Sequence, residues 1–442
     1  MKYNLSQIKE KIGEQAILSI AKESGFEMRT PRKIDGVSFL LGFFMMVQLG
    51  KIGLNDWARQ IGRLTQKLVS KQGLQKKLQF RQEAFVRSLL AHVVKQTTRG
   101  WGHKDIELFK HFNKVFVEDS SCLSLPRNLS AFYPGPHSKK HGKCATARVQ
   151  LRMNLLDDSY EGIDVESYRD NDQSFAHRIM EVLQAGSLVI RDQGYFVLSA
   201  FKAIMEKDAF FLSRLRYGTN VYDEETGEKM DLLGLLKQLK KEGKQVLDKK
   251  ILLGSKHKLP VRLVAVEVPN EVRKIRQHKA SNDRNTKAAH NELYMELLGW
   301  TIFITNVERE VWSFKDIIRA YRYRWRIEIV FKCWKSKFNV DKFFKGKDYV
   351  CPPRVIITIY LMLIWMTLTL GWYGIFVQRV YEEKRVFLSL LKFADFIKER
   401  FWEVILEKNP DKFIEELARY YCYDKRKSRE HYLESLYENL LS

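Results

Sequence analysis

Acid is the scarce commodity of this sequence. Against 76 Lys and Arg stand 53 Asp and Glu, which leaves a formal charge of +23 over 442 residues. An excess this large is more than solubility requires and fits a polyanionic partner, of which nucleic acid is the commonest. Cysteine is also sparse. The five (Cys122, Cys144, Cys333, Cys351 and Cys422) are scattered, odd in number and never spaced C-x-x-C. That argues against a zinc site and a disulfide framework, and for a reducing compartment. The first residues, Met-Lys-Tyr-Asn-Leu-Ser, are polar and lack the apolar core of a secretory leader. The expected location is the cytoplasm. No internal repeat and no low-complexity linker is present. One stretch lacks charge altogether: residues 355–377 are long enough to cross a bilayer. Thr358, Thr367, Thr369, Gly371 and Gly374 fall within it, and the expectation is a buried helix in a large domain, with no membrane partner.

What is present reads as globular, with 45% hydrophobic and 29% charged residues. The length suggests two to four domains. Residues 1–108 read as helical, and residues 39–49 are an apolar run. In residues 68–78, Ser70 can cap a short helix carrying Lys71, Lys76 and Lys77, as in the second helix of a helix-turn-helix. Strands are expected at 114–118, 145–155, 187–191, 210–217, 261–268 and 300–305. Helices are expected at 175–184 and 314–338, and again from about residue 385 on. This mixture indicates an α/β (α+β) core. The charged, strand-flanked stretch 205–296 has the character of an insertion.

The most specific segment is Tyr-Arg-Tyr-Arg-Trp-Arg-Ile-Glu-Ile-Val-Phe-Lys-Cys-Trp-Lys, residues 321–335. On a continuous helix at ~100° per residue, Tyr321, Arg324, Glu328 and Lys335 share an arc of about 60°. Ile327, Val330, Phe331, Trp334 and Phe338 form the apolar stripe beside it. Alone, an acid flanked by bases also suits a surface ion-pair ladder. Two further acids close apolar runs: Asp119 after Val-Phe-Val-Glu, and Asp192 after Leu-Val-Ile-Arg. Ligands of open α/β sheets gather at the carboxyl ends of strands. Three carboxylates are the hard oxygen donors that Mg²⁺ or Mn²⁺ takes, and two such ions would clamp the attacking and leaving oxygens of a phosphodiester. By strand alternation Glu118 points away from Asp119 and is left out of the set.

The spacing Tyr-x2-Arg-x3-Glu-x6-Lys resembles the YREK signature of the insertion-sequence-four family of DDE transposases. So do an acid after an apolar strand (Asp119) and an acid followed by Gly and an aromatic (Asp192-Gln193-Gly194-Tyr195). The resemblance covers roughly residues 110–345. It implies an RNase H-like core with a β-rich insertion and a metal-binding catalytic triad of Asp119, Asp192 and Glu328. It further implies phosphate contacts from Tyr321, Arg324 and Lys335, a flipped base stacked on Trp300, and DNA contacts from Arg214 and Arg216. Its partners would be the terminal inverted repeats and target DNA, bound by a homodimer on paired ends. The corresponding division is a DNA-binding helical region (1–108), core (109–204), insertion (205–296), core (297–384) and a helical C-terminal region for dimer contact (385–442). A nuclease of the same fold without strand transfer, or a non-catalytic DNA-binding descendant, would share many of these features.

Overall fold

The computed structural model describes residues 13–50, 53–97, 107–138, 142–157, 159–282, 291–340, 344, 351–407 and 409–424. The described part of the N-terminal region is helical, as expected. Helix α1 (Glu14–Glu23) is followed by α2 (Gly36–Gln48), whose start is set by a capping box. The Asp35 carboxylate accepts from the Ser38 N–H at 2.6 Å, and the Ser38 hydroxyl accepts from the Asp35 N–H at 3.1 Å. Helix α3 (Leu54–Thr65) buries Trp57, Ala58, Ile61 and Leu64, one face at helical spacing. Ser70 caps α4 (Lys71–Gln75) by accepting the Gly73 N–H, and α5 (Glu83–Thr97) follows.

The sheet-forming part begins with β1 (Val115–Leu125), β2 (Pro134–Ser138), β3 (Gly142–Asn154) and β4 (Ser159–Ser167). After α6 (Asp172–Phe175) come β5 (Leu188–Arg191), α7 (Leu198–Met205) and β6 (Phe210–Arg214). The next stretch holds β7 (Val221–Asp223), α8 (Leu232–Lys241), β8 (Val246–Leu253), β9 (Leu259–Glu267), α9 (Asn270–Ser281) and α10 (Glu292–Leu297). Then β10 (Trp300–Thr305) leads to α11 (Phe314–Arg322) and α12 (Trp325–Ser336). The chain continues as α13 (Pro352–Gly371), α14 (Tyr373–Lys384), α15 (Leu390–Leu406) and α16 (Ile414–Tyr420). The fold is mixed α/β, as the sequence implies. The end of the C-terminal region expected to be helical, residues 425–442, lies outside the described residues, as does part of the basic stretch after α9.

The chain divides into two compact units. The first comprises Met1–Asp105, Ser120–Arg169 and Ile327–Ser442. Its core helix is α13, which holds most of the uncharged stretch of the sequence, and 83% of the most apolar window there is buried. Phe44 of α2 lies 4.9 Å from the Trp365 ring, Phe401 of α15 lies 4.4 Å from it, and the Arg87 guanidinium sits over Tyr360 at 4.9 Å. The apolar composition of α13 is therefore used for packing inside this unit. In the same unit β3 pairs antiparallel with β2 and β4 and neighbours β1. Trp334 of α12 packs edge-on against Tyr160 of β4 at 6.2 Å.

The second unit comprises Ile106–Asp119 and Asp170–Arg326. Its parallel strands run β1, β5, β6: Val115 to Glu118 pair with Leu188 to Arg191, which pair in turn with Phe210 to Ser213. Beyond them β10 lies antiparallel to β6, and β9, β8 and β7 follow as antiparallel neighbours. Phe116, Val189, Phe201, Phe211, Trp300 and Ile304 belong to one buried cluster, with Phe201 stacked on Phe211 at 4.4 Å. Arg262 of β9, 3% exposed, bonds Asp248 of β8 at 2.6 Å and the Trp312 carbonyl at 2.7 Å, so these strands brace the chain leading into α11.

Three expectations are corrected. The helix expected at 175–184 shrinks to α6 and a 3₁₀ turn, Arg178–Glu181. The Ala176 carbonyl, which a longer helix would give to the Met180 N–H, accepts from Arg191 instead, at 2.6 Å. Strand β1 does not stop at Asp119 but runs on to Leu125, its neighbour changing from β5 to β3. The helix expected at 314–338 is broken at Tyr323 and Arg324, where successive i→i+3 bonds tighten the chain (Tyr323 N–H to Ala320, Arg324 N–H to Tyr321, Arg326 N–H to Tyr323). The break seats Tyr323, 4% exposed, against the Phe109 ring at 5.2 Å.

Candidate active site

The site grows out of strand register. Glu118 of β1 is paired with Arg191 of β5, and Arg191 with Ser213 of β6. One residue further along, Asp119 continues β1, Asp192 follows the end of β5 in extended conformation, and Arg214 ends β6, adjacent strands of a sheet lying ~4.8 Å apart. Side chains at one level of a sheet share a face, and the residues before them point to the other. Accordingly, Glu118 and Arg191 turn inward and pair at 2.7 Å, with side-chain exposures of 5% and 0%, while Asp119 is 21% exposed. Glu118 therefore stands apart from the acid pair, as strand alternation demanded.

Helix α11 and the turn after it supply the surroundings of the acids. Its start is fixed by a capping box between Ser313 and Asp316. Tyr321 packs on Phe303 of β10 at 5.2 Å, and its hydroxyl lies 3.5 Å from Asp192 Oδ1, long for a hydrogen bond. Its phenol is pushed up to about 12, first by burial and then by the Asp192 carboxylate, against the opposing charges of Arg324 and Arg214. In the tightened turn Arg324 reaches Asp119 at 3.8 Å and lies over the Tyr321 ring at 5.7 Å. The loop after Asp192 is held by the Gln193 amide, which donates to the Leu215 carbonyl at 2.7 Å. Gly194 is needed there because a Cβ would come within 2.9 Å of Asp172 Oδ2. Tyr195 beyond it is buried, and its phenol is pushed well above its usual value by burial and then by Glu118, Asp172 and Asp119.

The remaining expected residues are placed as follows. Glu328 and Lys335 belong to α12 and to the first unit; both are half-buried, and seven residues apart they share one face of that helix. Because of the break, Tyr321 and Arg324 do not continue that helix. Arg216 is exposed just past β6. Trp300 is 7% exposed and packed in the core of the second unit. Among the described residues no three acid, His or Cys side chains are gathered closely enough to enclose a metal. The structure thus brings together Asp119, Asp192, Arg214, Tyr321 and Arg324. Two carboxylates facing a half-open surface are hard oxygen donors, which suit a divalent ion of the magnesium type.

Sequence reasoning overlooked the Glu118–Arg191 pair and Arg276, which bonds the first residues of β10. For the pair, a signal existed: each residue directly precedes a site aspartate, and their charges are opposite. For Arg276, one base among many in α9, the sequence carried no such signal.

Two acids at the ends of neighbouring parallel strands, beside two arginines and a phenol in a strongly basic chain, fit an enzyme that works on nucleic acid. Residues 110–347 match the transposase DDE domain, and the chain belongs to that family of transposases. A transposase for insertion sequence element IS231F of Bacillus thuringiensis subsp. israelensis is 24% identical over 363 residues, 76% of this chain and 73% of that one. A transposase for IS1151 of Clostridium perfringens is 24% identical over 365 residues, 78% of this chain and 76% of that one. Among solved structures, a piggyBac transposase synaptic complex with hairpin DNA superposes with a TM-score of 0.43 and 8% identity, covering 96% of this chain and 86% of that one. The protein is a DNA transposase, a DNA-binding and DNA-cleaving enzyme that uses divalent metal.

Proposed function

We propose that the protein is a cut-and-paste transposase in which Asp119, Asp192 and Glu328 hold the metal, Mg²⁺ or Mn²⁺, as two ions. The observation that carries this reading is the placement of Asp119 on β1 and of Asp192 just past the end of the parallel neighbour β5, with Arg324 and Tyr321 against them. Strands β1, β5 and β6 would be the centre of an RNase H-like core. Bound there, two ions would supply charge stabilisation to the attacking and leaving oxygens of an in-line displacement. The residues of this chain do the rest. Arg324, Tyr321 and Lys335 hold backbone phosphates, positioning DNA without reading its sequence. Arg214 and Arg216 extend this contact from the end of β6. Trp300 would stack a flipped base, which requires it to leave the core in which it is packed.

The helical region 1–108 would bind the terminal inverted repeats, residues 205–296 would serve as the insertion between two halves of the core (109–204 and 297–384), and 385–442 would pair two copies on two ends. Hydrolysis at the element's ends would precede attack of the new 3′-hydroxyl on target DNA, in the cytoplasm on the nucleoid. The test is cleavage of duplex DNA carrying the flanking terminal repeats, with Mg²⁺, by wild type and Glu328→Ala. Cleavage lost while binding persists supports the assignment. Equal cutting by the variant removes Glu328 from the set. Strand transfer into a plasmid separates a transposase from a nuclease of the same fold.

A further inference from the structure

Arg276 of α9 reaches across to the strand that borders the acid site. Its Nη1 donates to the carbonyls of Leu298, at 3.3 Å, and Trp300, at 3.1 Å, and its Nη2 donates to Thr301 Oγ1 at 3.0 Å. Thr301 and Phe303, two apart on β10, share a face of the sheet. Phe303 stands opposite Arg214 in the β6–β10 register, so Arg214 shares that face too. Phe303 also packs on Tyr321, which adjoins Asp192. Arg276, Arg214, Tyr321 and Asp192 therefore follow one another across a single face.

The charge on this face is unbalanced. The three partners of Arg276 are neutral, and among the described residues neither Arg276 nor Arg214 lies within ion-pair distance of a carboxylate. The Nε of Arg214 is buried with no hydrogen-bond partner. Burial and the neighbouring charge of Arg214 both lower the pKa of Arg276, so the two guanidinium groups feel each other. Three bonds leave two of the five N–H donors of Arg276 for a ligand. Half-buried like charges held without a counter-ion are costly, and an inserted anion relieves them. A tetrahedral phosphate is the anion that arginine forks match in geometry.

We propose that Arg276 and Arg214 together bind one backbone phosphodiester of the DNA, a subsite next to the aspartate pair. The proposal rests on the reading of Asp119 and Asp192 as the cutting centre. Arg276 thereby both fixes the start of β10 and positions the strand that leads to the acids.

The test measures binding of a labelled duplex carrying the terminal repeat as a function of salt. For Arg276→Gln the slope of log K against log salt is expected to fall by about 0.9, the loss of one neutralised phosphate. Arg276→Lys, which keeps the charge, should restore most of the slope. Arg214→Gln with Arg276→Gln should lower it by the same ~0.9 and not by twice that, because one phosphate is shared. An unchanged slope in Arg276→Gln overturns the proposal, whether or not its melting temperature falls, since a purely structural latch would alter stability alone. A double variant that loses twice the single effect overturns the shared phosphate. Asp119→Asn is run alongside: if it still cuts, the reading of the cutting centre fails, a result separate from the slopes.

Discussion

Glu118 and Arg191 form a buried ion pair, 2.7 Å apart, on the face of the sheet opposite the site and one residue before each of its aspartates. Arg191 also donates to the Ala176 carbonyl at 2.6 Å. The pair locks the register of β1 on β5, and with it the separation of Asp119 and Asp192. Removing one partner leaves an uncompensated buried charge, a loss of about 3–5 kcal/mol. Glu118→Ala should therefore be strongly destabilised in urea unfolding, and Glu118→Leu with Arg191→Leu less so. A single variant as stable as wild type would show that the pair does not hold the register.

Asp192→Asn should bind terminal-repeat DNA and fail to cut it. Metal-assisted stabilisation of several kcal/mol would be lost, about 10³-fold in rate at 1.36 kcal/mol per decade. Single-turnover cleavage over a range of Mg²⁺ concentrations measures this. A variant rescued fully by more metal would assign Asp192 to affinity alone.

The Tyr321 phenol, raised to about 12, has a pH signature. A phenol whose folded value lies above its unfolded value near 10 contributes stability that is complete below pH 10 and is lost as pH rises towards 12. Tyr321→Phe should flatten that part of the alkaline loss. Ultraviolet titration should show one fewer late-titrating phenol in the variant. At neutral pH the hydroxyl stays protonated, and because it lies 3.5 Å from Asp192 its removal should slow cleavage only modestly.

Trp300→Ala should cost about 3–5 kcal/mol, the usual penalty for truncating a buried aromatic. Trp300→Phe should recover much of it. Thermal unfolding of both, beside cleavage of a duplex and of a pre-nicked hairpin end, separates packing from base stacking. A stable Trp300→Ala variant would contradict the packed position.

The part of the candidate site that the structure draws together was legible where its signals are local. An apolar run ending in an acid marked Asp119 and Asp192, and alternation alone excluded Glu118. The uncharged residues 355–377 are mostly buried, as read, but divide at Trp372 into the two helices α13 and α14. Other features depend on partners distant in sequence. The break at Tyr323 follows from Phe109, some two hundred residues away, and no proline or glycine announces it. The shortening of α6 depends on Arg191 taking a carbonyl, and the extension of β1 on a neighbouring strand. The role of Arg276 comes from a fold-back of α9 onto β10, which periodicity cannot reveal. Spacing along one helix suggested a single stripe from Tyr321 to Lys335. The stripe is real only in its two halves.

The first unit is assembled from three stretches of chain, and its central helix, α13, comes from the last of them. During synthesis, α2 and α5 emerge long before the surface they bury against exists. Domains fold as units once their residues are available. A nascent or truncated chain lacking α13 thus cannot complete this unit. Helices α2 and α5 therefore have no α13 surface to bury against until residues 352–371 have been made.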